Sequence, residues 1–323
     1  MRTAQAMNSV SNRSQINQDR PVDDAYPSRK GQNAVSNRHE PVIYAPKNSI
    51  PPIDPAQIEQ FEQQGFLVLE NIFSPAEIEA LQAESARLRS TPNIDEQTDK
   101  AFTELGHDEV RSIFSLHETS PVFKKLMNDE RLVDLAKYIL NDQVYIHQSR
   151  LNYKPGFVGK EFYWHSDFET WHVEDGMPNM RALSMSVALT ENHTHNGPLM
   201  LIPGSHKKFI ACEGKTPQQH HLASLKKQEY GVPSNENLSM LVDKHGISTV
   251  TSKPGSVIIF DCNTMHGSNG NITPHPRANV FFVYNALSNK VTNPFCEHPP
   301  RPEYLCTRSN IKPLTACHSP ITL

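Results

Sequence analysis

Gln148-Ser149-Arg150-Leu151-Asn152-Tyr153-Lys154 alternates with a period of two. Successive side chains of an extended strand point to opposite faces. Gln148, Arg150, Asn152 and Lys154 therefore share one face, and Ser149, Leu151 and Tyr153 the other. The polar face of an antiparallel sheet is ordinarily its solvent side. Here we expect it to face inward, because a barrel that binds a charged ligand needs donors in its interior. Around this strand the chain from Asn141 onward reads mostly as β. Further strands are expected over 182–190, 199–202, 248–252, 256–260 and 278–286, punctuated by Pro155-Gly156, Asn196-Gly197-Pro198, Pro203-Gly204 and Pro254-Gly255. One helix is expected near 235–244. In the last strand Arg277, Asn279, Phe281 and Asn285 fall on one face.

Upstream the texture is helical. Asp54 caps a helix with Pro55 at its first position and Gly65 as its stop. Phe66-Leu67-Val68-Leu69 reads as a buried strand. Ser74-Pro75-Ala76-Glu77 is a capping box, and Ile78, Leu81, Ser85 and Leu88 follow on one helix face. Ser120 and Asp129 cap short helices that end near Leu140. Helices followed by many short strands predict a mainly β fold with flanking helices, a sandwich or jelly roll. Residues 1–40 hold few aliphatic side chains and are expected to be a disordered tail. The expected divisions of the rest are a linker over 41–53, helical support over 54–140 and a β core over 141–290, all in one domain covering 41–323.

The chain has 323 residues, 31 Lys plus Arg, 35 Asp plus Glu and a formal charge of −4. That balance argues against a nucleic-acid partner. Mean hydropathy is −0.55, and no apolar run approaches the roughly 20 residues of a membrane span. Met1 to Val10 lack an apolar signal core. Cys212, Cys262, Cys296, Cys306 and Cys317 form no C-x-x-C pair, which suits reduced thiols in a cytoplasm.

The chemistry concentrates in Phe162-Tyr-Trp-His-Ser-Asp-Phe-Glu-Thr-Trp-His172, which carries both tryptophans, Trp164 and Trp171. His165 and Asp167 are two apart, and on a strand both can reach one ion. About one H-x-D pair is expected by chance in a chain this rich in histidine, so the dipeptide alone is weak. His266, just past an apolar strand, is the candidate third ligand. Two imidazoles and one carboxylate suit ferrous iron with open positions. Arg277, opening the next strand, can hold a dicarboxylate bidentately. His193, His195 and the pair His220-His221 have no partner at ligand spacing, and Glu174-Asp175 reads as a solvated turn. The same donor set also suits a zinc hydrolase, but no H-E-x-x-H is present. A sandwich that binds a metal or solute without catalysis is the reading from a different class.

The residues 148–154, the run from Phe162 through Trp171-His-Val-Glu-Asp-Gly-Met-Pro178, and Pro203-Gly-Ser-His206 closely resemble the ectoine hydroxylases. These belong to the phytanoyl-CoA-hydroxylase-like branch of the iron(II)/2-oxoglutarate dioxygenases. The resemblance runs from about residue 50 to about residue 300, with no departure at the metal positions. It implies a double-stranded β-helix, a jelly-roll or cupin-like core. It also implies hydroxylation of ectoine, with 2-oxoglutarate and O2 consumed and succinate and CO2 released; another small solute such as proline is the alternative substrate. It assigns His165, Asp167 and His266 to Fe(II), and Lys154, Ser268, Arg277 and Asn279 to 2-oxoglutarate. Gln148, Trp171, Phe260 and Phe281 become the substrate cradle. A homodimer is compatible with this pattern.

Overall fold

The structure is a computed structural model; it describes residues 24–31, 33–90, 100–219, 221–222, 225 and 227–323. After a short strand β1 (Ala34–Asn37) the chain forms α1 (Pro55–Gln64), β2 (Phe66–Leu69), α2 (Pro75–Ser90), β3 (Ala101–Thr103) and β4 (Val110–Phe114). Three helices follow: α3 (Leu116–Thr119), α4 (Pro121–Met127) and α5 (Glu130–Leu140). Then come β5 (Val144–Lys154), β6 (Phe162–His165), α6 (Asp167–Asp175), β7 (Ala182–Ala188), β8 (Leu199–Leu201) and β9 (Lys208–Ala211). The chain continues with α7 (Asn235–His245), β10 (Ser248–Val250), β11 (Val257–Asp261), β12 (His266–Ser268) and β13 (Arg277–Ala286).

The helix ends are where the sequence puts them. The Asp54 carboxylate accepts from Ala56 N at 2.9 Å, and Gly65 closes α1 at φ 81°. Glu77 accepts from Ser74 N at 2.9 Å to complete the capping box of α2. Ser120 and Asp129 cap α4 and α5 through Phe123 N and Arg131 N.

Among the described residues, the larger sheet runs β2-β11-β7-β13-β5-β4-β3 and the smaller β10-β8-β12-β6, the expected jelly roll. Alternation sorts β11 between two layers. Val257 and Ile259 join the core beneath the helices, with Leu135, Ile139, Val280 and Phe282. Ile258 and Phe260 face the space between the sheets, with Leu199, Leu201 and Phe281. Each such side chain, buried fully, contributes roughly 1.5–3 kcal/mol of transfer free energy. Burial on both faces explains why Val257–Phe260 of β11 reads as a continuous apolar run.

The alternation of β5 survives one interruption. Pairing with β13 is regular from Arg277↔Lys154 to Val283↔Gln148, then shifts so that Tyr284 faces Ile146. His147 is the extra residue, a β-bulge that turns Ile146 and Val144 into the helix-side core. The inward placement of Gln148, Arg150, Asn152 and Lys154 is as expected.

Two expectations need correction. The segment 54–140 is not merely helical support, because β2, β3 and β4 extend the larger sheet on both edges. The tail expected to be disordered over 1–40 is ordered from Asp24 onward; residues 1–23 lie outside the described residues. Tyr26 is fully buried, and β1 pairs antiparallel with β9. Arg29 is buried against α6, where Nη2 donates to Glu169 Oε2 at 2.7 Å and Nη1 to Glu174 Oε1 at 2.5 Å. Composition misjudged this segment, because an ion-paired arginine and one tyrosine anchor it in place of aliphatic burial.

Candidate active site

β12 lies antiparallel between β8 and β6, and His266 sits directly across from His165. Residues so paired project to the same face within contact distance, and their ring centroids are 4.3 Å apart. Asp167 arrives differently from the expected strand alternation. β6 ends at His165, Ser166 is the N-cap, and Asp167 is the first residue of α6. Phe168 N donates to Cys262 O at 2.8 Å and Ser166 Oγ to Asn263 Oδ1 at 3.0 Å, which fixes the turn. Asp167 Oδ1 then lies 3.7 Å from His165 Nε2 and 3.9 Å from His266 Nε2. All three side chains are buried, and one ligand atom from each falls within 4.8 Å of the others.

The hydrogen bonds behind the triad orient it. His165 Nδ1 lies 2.6 Å from Tyr163 O, and His266 Nδ1 lies 2.9 Å from Thr264 O. A carbonyl can only accept, so each Nδ1 carries the proton and each Nε2 lone pair is free for a metal. Burial, and then the neighbouring His266, pushes His165 down to about 3. Burial also lowers His266. Burial alone would raise Asp167, but His266, Arg150 and His165 outweigh it and hold the carboxyl low. At neutral pH the site therefore presents two neutral imidazoles and one carboxylate, the donor set of a non-haem ferrous centre with open positions.

A cleft opens from this triad between the sheets, and Gln148, Arg150, Trp171, Ser268, Arg277 and Phe281 line it. Arg277 is 2% exposed, and its Nε and Nη1 have no hydrogen-bond partner among the described residues. Burial, then Arg111, pushes it down to about 10. A buried, unpaired guanidinium at a cleft wall fits an incoming carboxylate. Lys154 does not line the cleft. Its Nζ donates to Ser268 Oγ at 2.9 Å, Lys160 O at 3.0 Å and Asn269 O at 2.5 Å, and so fixes the serine that does. Asn279 is fully buried behind the wall with both amide atoms unpartnered. Phe260 is also behind the wall, its ring 4.9 Å from that of His266. Arg150 lies over the Phe281 ring at 5.0 Å, and Trp171 supplies a second aromatic wall of the cleft.

Thr170, Gln228 and Arg301 also line the cleft and were not among the sequence candidates. Arg150, expected on the inward face of β5 but given no role there, lines it as well. Nothing marked Arg301, which comes from the irregular C-terminal segment. It is aimed by Asp175, whose carboxylate accepts from Arg301 Nε at 2.8 Å and Nη2 at 2.6 Å and lies 3.2 Å from His147 Nε2. Glu174 and Asp175 are thus buried helix residues and not a solvated turn, because each meets an arginine from outside the helix.

A jelly roll holding a buried His-Asp-His triad beside a cationic cleft defines the class of iron(II)/2-oxoglutarate oxygenases. Residues 61–279 match the family model for phytanoyl-CoA dioxygenase (PhyH), and the chain belongs to that family. It is 54% identical to the ectoine dioxygenase of Sphingopyxis alaskensis over 301 residues, 93% of this chain and 98% of that protein. The ectoine dioxygenase of Bordetella bronchiseptica is also 54% identical, over 90% of this chain and 95% of its own. The crystal structure of EctD from S. alaskensis with 2-oxoglutarate and 5-hydroxyectoine superposes with a TM-score of 0.84 at 50% identity, covering 92% of this chain and 99% of that one. No helix among the described residues is long and apolar enough to cross a membrane.

Proposed function

We propose that this chain is an iron(II)- and 2-oxoglutarate-dependent dioxygenase that hydroxylates ectoine to 5-hydroxyectoine, with release of succinate and CO2, in the cytoplasm. The observation that carries this reading is the 54% identity to an ectoine dioxygenase across nearly the whole of both chains, joined to the buried triad. The five free cysteines suit a reducing compartment.

In this reading His165, Asp167 and His266 hold the ferrous ion. The bound iron, with 2-oxoglutarate and O2, supplies the oxidation. Arg277 takes the far carboxylate of the cosubstrate, and Ser268, held by Lys154, donates or accepts beside it. Lys154, Asn279 and Phe260 are positioning residues, since none of them reaches the cleft. Ectoine is a small zwitterion with a cyclic amidinium and a carboxylate, so apolar burial alone cannot bind it well. Trp171 offers its face to the delocalised cation, a contact of about 0.5–2 kcal/mol. Gln148 orients the ring; its Nε2 donates to Leu305 O at 2.8 Å, which turns Oε1 toward the cleft. Arg150 and Arg301 supply positive charge for the substrate carboxylate. The low-dielectric walls keep the reaction away from bulk water.

The test is incubation of purified protein with Fe(II), 2-oxoglutarate, O2 and ectoine, reading the gain of one oxygen by mass spectrometry together with succinate. Succinate without a hydroxylated product, or faster turnover of proline in a substrate panel, would overturn the assignment. Asp167→Ala should abolish both products. Light scattering reads whether the protein is a homodimer.

A further inference from the structure

Three histidines left unassigned by the cleft meet on the molecular surface. His193 and His195 lie in the β7–β8 connection and His275 in the β12–β13 connection, 80 residues further on. The rings of His193 and His195 stack with centroids 4.9 Å apart. His275 closes the group at 6.1 Å from His193 and 6.3 Å from His195. Glu191 Oε1 sits 3.7 Å from His193 Nδ1. No residue at ligand spacing along the chain partners the H-x-H pair, and the fold provides one.

We propose that His193, His195 and His275 form a second metal site, for a divalent transition ion of the zinc or nickel type, separate from the buried triad. Imidazole is the preferred donor for these ions. Nitrogens bound at about 2.0–2.1 Å, in tetrahedral or octahedral geometry, put neighbouring ring centroids about 4.5–5.2 Å apart. The His193–His195 spacing already falls in that range. His275 must approach by about 1 Å, and one of the stacked rings must turn; His195 and His275 are exposed, so rotamer changes suffice.

The backbones that carry the rings are fixed. His193 N donates to Asn196 Oδ1 at 2.9 Å, and Asn196 Nδ2 to Glu191 O at 2.9 Å. Asn192 is tied to Ser252 by both backbone and side chain. Asn271 Nδ2 donates to His275 O at 2.8 Å. Such a pre-formed scaffold loses little entropy on binding an ion. An ion here bridges two connections that flank the Lys154–Arg277 end of the cleft: a Cβ on Gly197 would meet Lys154 Cδ at 2.7 Å, and His275 is two residues from Arg277.

The experiment uses the Fe(II)-loaded protein under nitrogen with 2-oxoglutarate present, titrated with Zn2+. Iron and zinc are measured after desalting. Wild-type protein should take up one equivalent of zinc while keeping its iron, and its unfolding temperature should rise. His275→Ala, and separately the double variant His193→Ala/His195→Ala, should weaken that uptake roughly tenfold or more. Basal turnover without zinc should be unchanged, since the three rings lie outside the cleft lining. Exposed His107 supplies the control: His107→Ala should bind zinc like the wild type. Zinc uptake only with matching loss of iron, equal uptake by the His275→Ala protein, or no second equivalent below about 100 μM zinc would each overturn the proposal.

Discussion

Arg277→Leu should make the ligand-free protein more stable and the cosubstrate harder to bind. The guanidinium is buried, with Nε and Nη1 unpartnered, and burial pushes it from 12.5 down to about 10. It stays charged at pH 7, so the whole cost is present there; a displacement of that size corresponds to about 3 kcal/mol. A leucine carries no such cost, although it is shorter than the arginine and leaves space beside the cleft. The gain should be about 1–3 kcal/mol, because part of the charge penalty is replaced by imperfect packing. The same substitution removes a charge-assisted bidentate contact to the far carboxylate of 2-oxoglutarate. Truncating one partner of a buried charge pair costs about 2–5 kcal/mol, roughly 30-fold to several thousand-fold in affinity. Urea unfolding of metal-free protein reads the first effect. Calorimetric titration of 2-oxoglutarate into Fe(II)-loaded protein under nitrogen reads the second. A variant less stable than wild type, or one with unchanged cosubstrate affinity, refutes the argument that Arg277 is a charge held in waiting for a carboxylate.

Arg29→Met should destabilise the fold by about 3–5 kcal/mol, since it strips the cation from Glu169 and Glu174 inside the protein; urea midpoints at constant m-value check this. Trp171→Leu should raise the KM for ectoine about 2- to 30-fold, the equivalent of about 0.5–2 kcal/mol, and leave the 2-oxoglutarate KM nearly unchanged, as steady-state kinetics will show. Burial lowers His206 from 6.5 to about 4. Its folded form resists the proton that the unfolded chain accepts, so stability is full above pH 6.5 and falls as pH drops toward 4, by at most about 3 kcal/mol. A urea series over that range should be flatter for His206→Gln than for wild type. Gly65→Ala should cost at least about 2 kcal/mol in the same assay, because φ is 81° and the new Cβ would lie 2.3 Å from His206 Nδ1.

Local rules placed the caps of α1, α2, α4 and α5, and most strand boundaries to within about two residues. They also placed the polar face of β5, because alternation and capping are nearest-neighbour physics. The H-S-D spacing singled out two side chains that the fold does bring together, but by a different route: Asp167 reaches the triad from a helix start, and not along a strand. What alternation could not supply was which strands lie side by side. The sequence separation of His165 and His266 hides that they are directly paired, and no local pattern pointed to Arg301 or to the ordered segment after Asp24. The chain by itself thus determined residue chemistry and the short-range elements that carry it. Only the tertiary structure decided that Lys154 serves Ser268, that Phe260 backs His266, and that His275 joins His193 and His195, because contacts between distant segments depend on the packing of whole sheets.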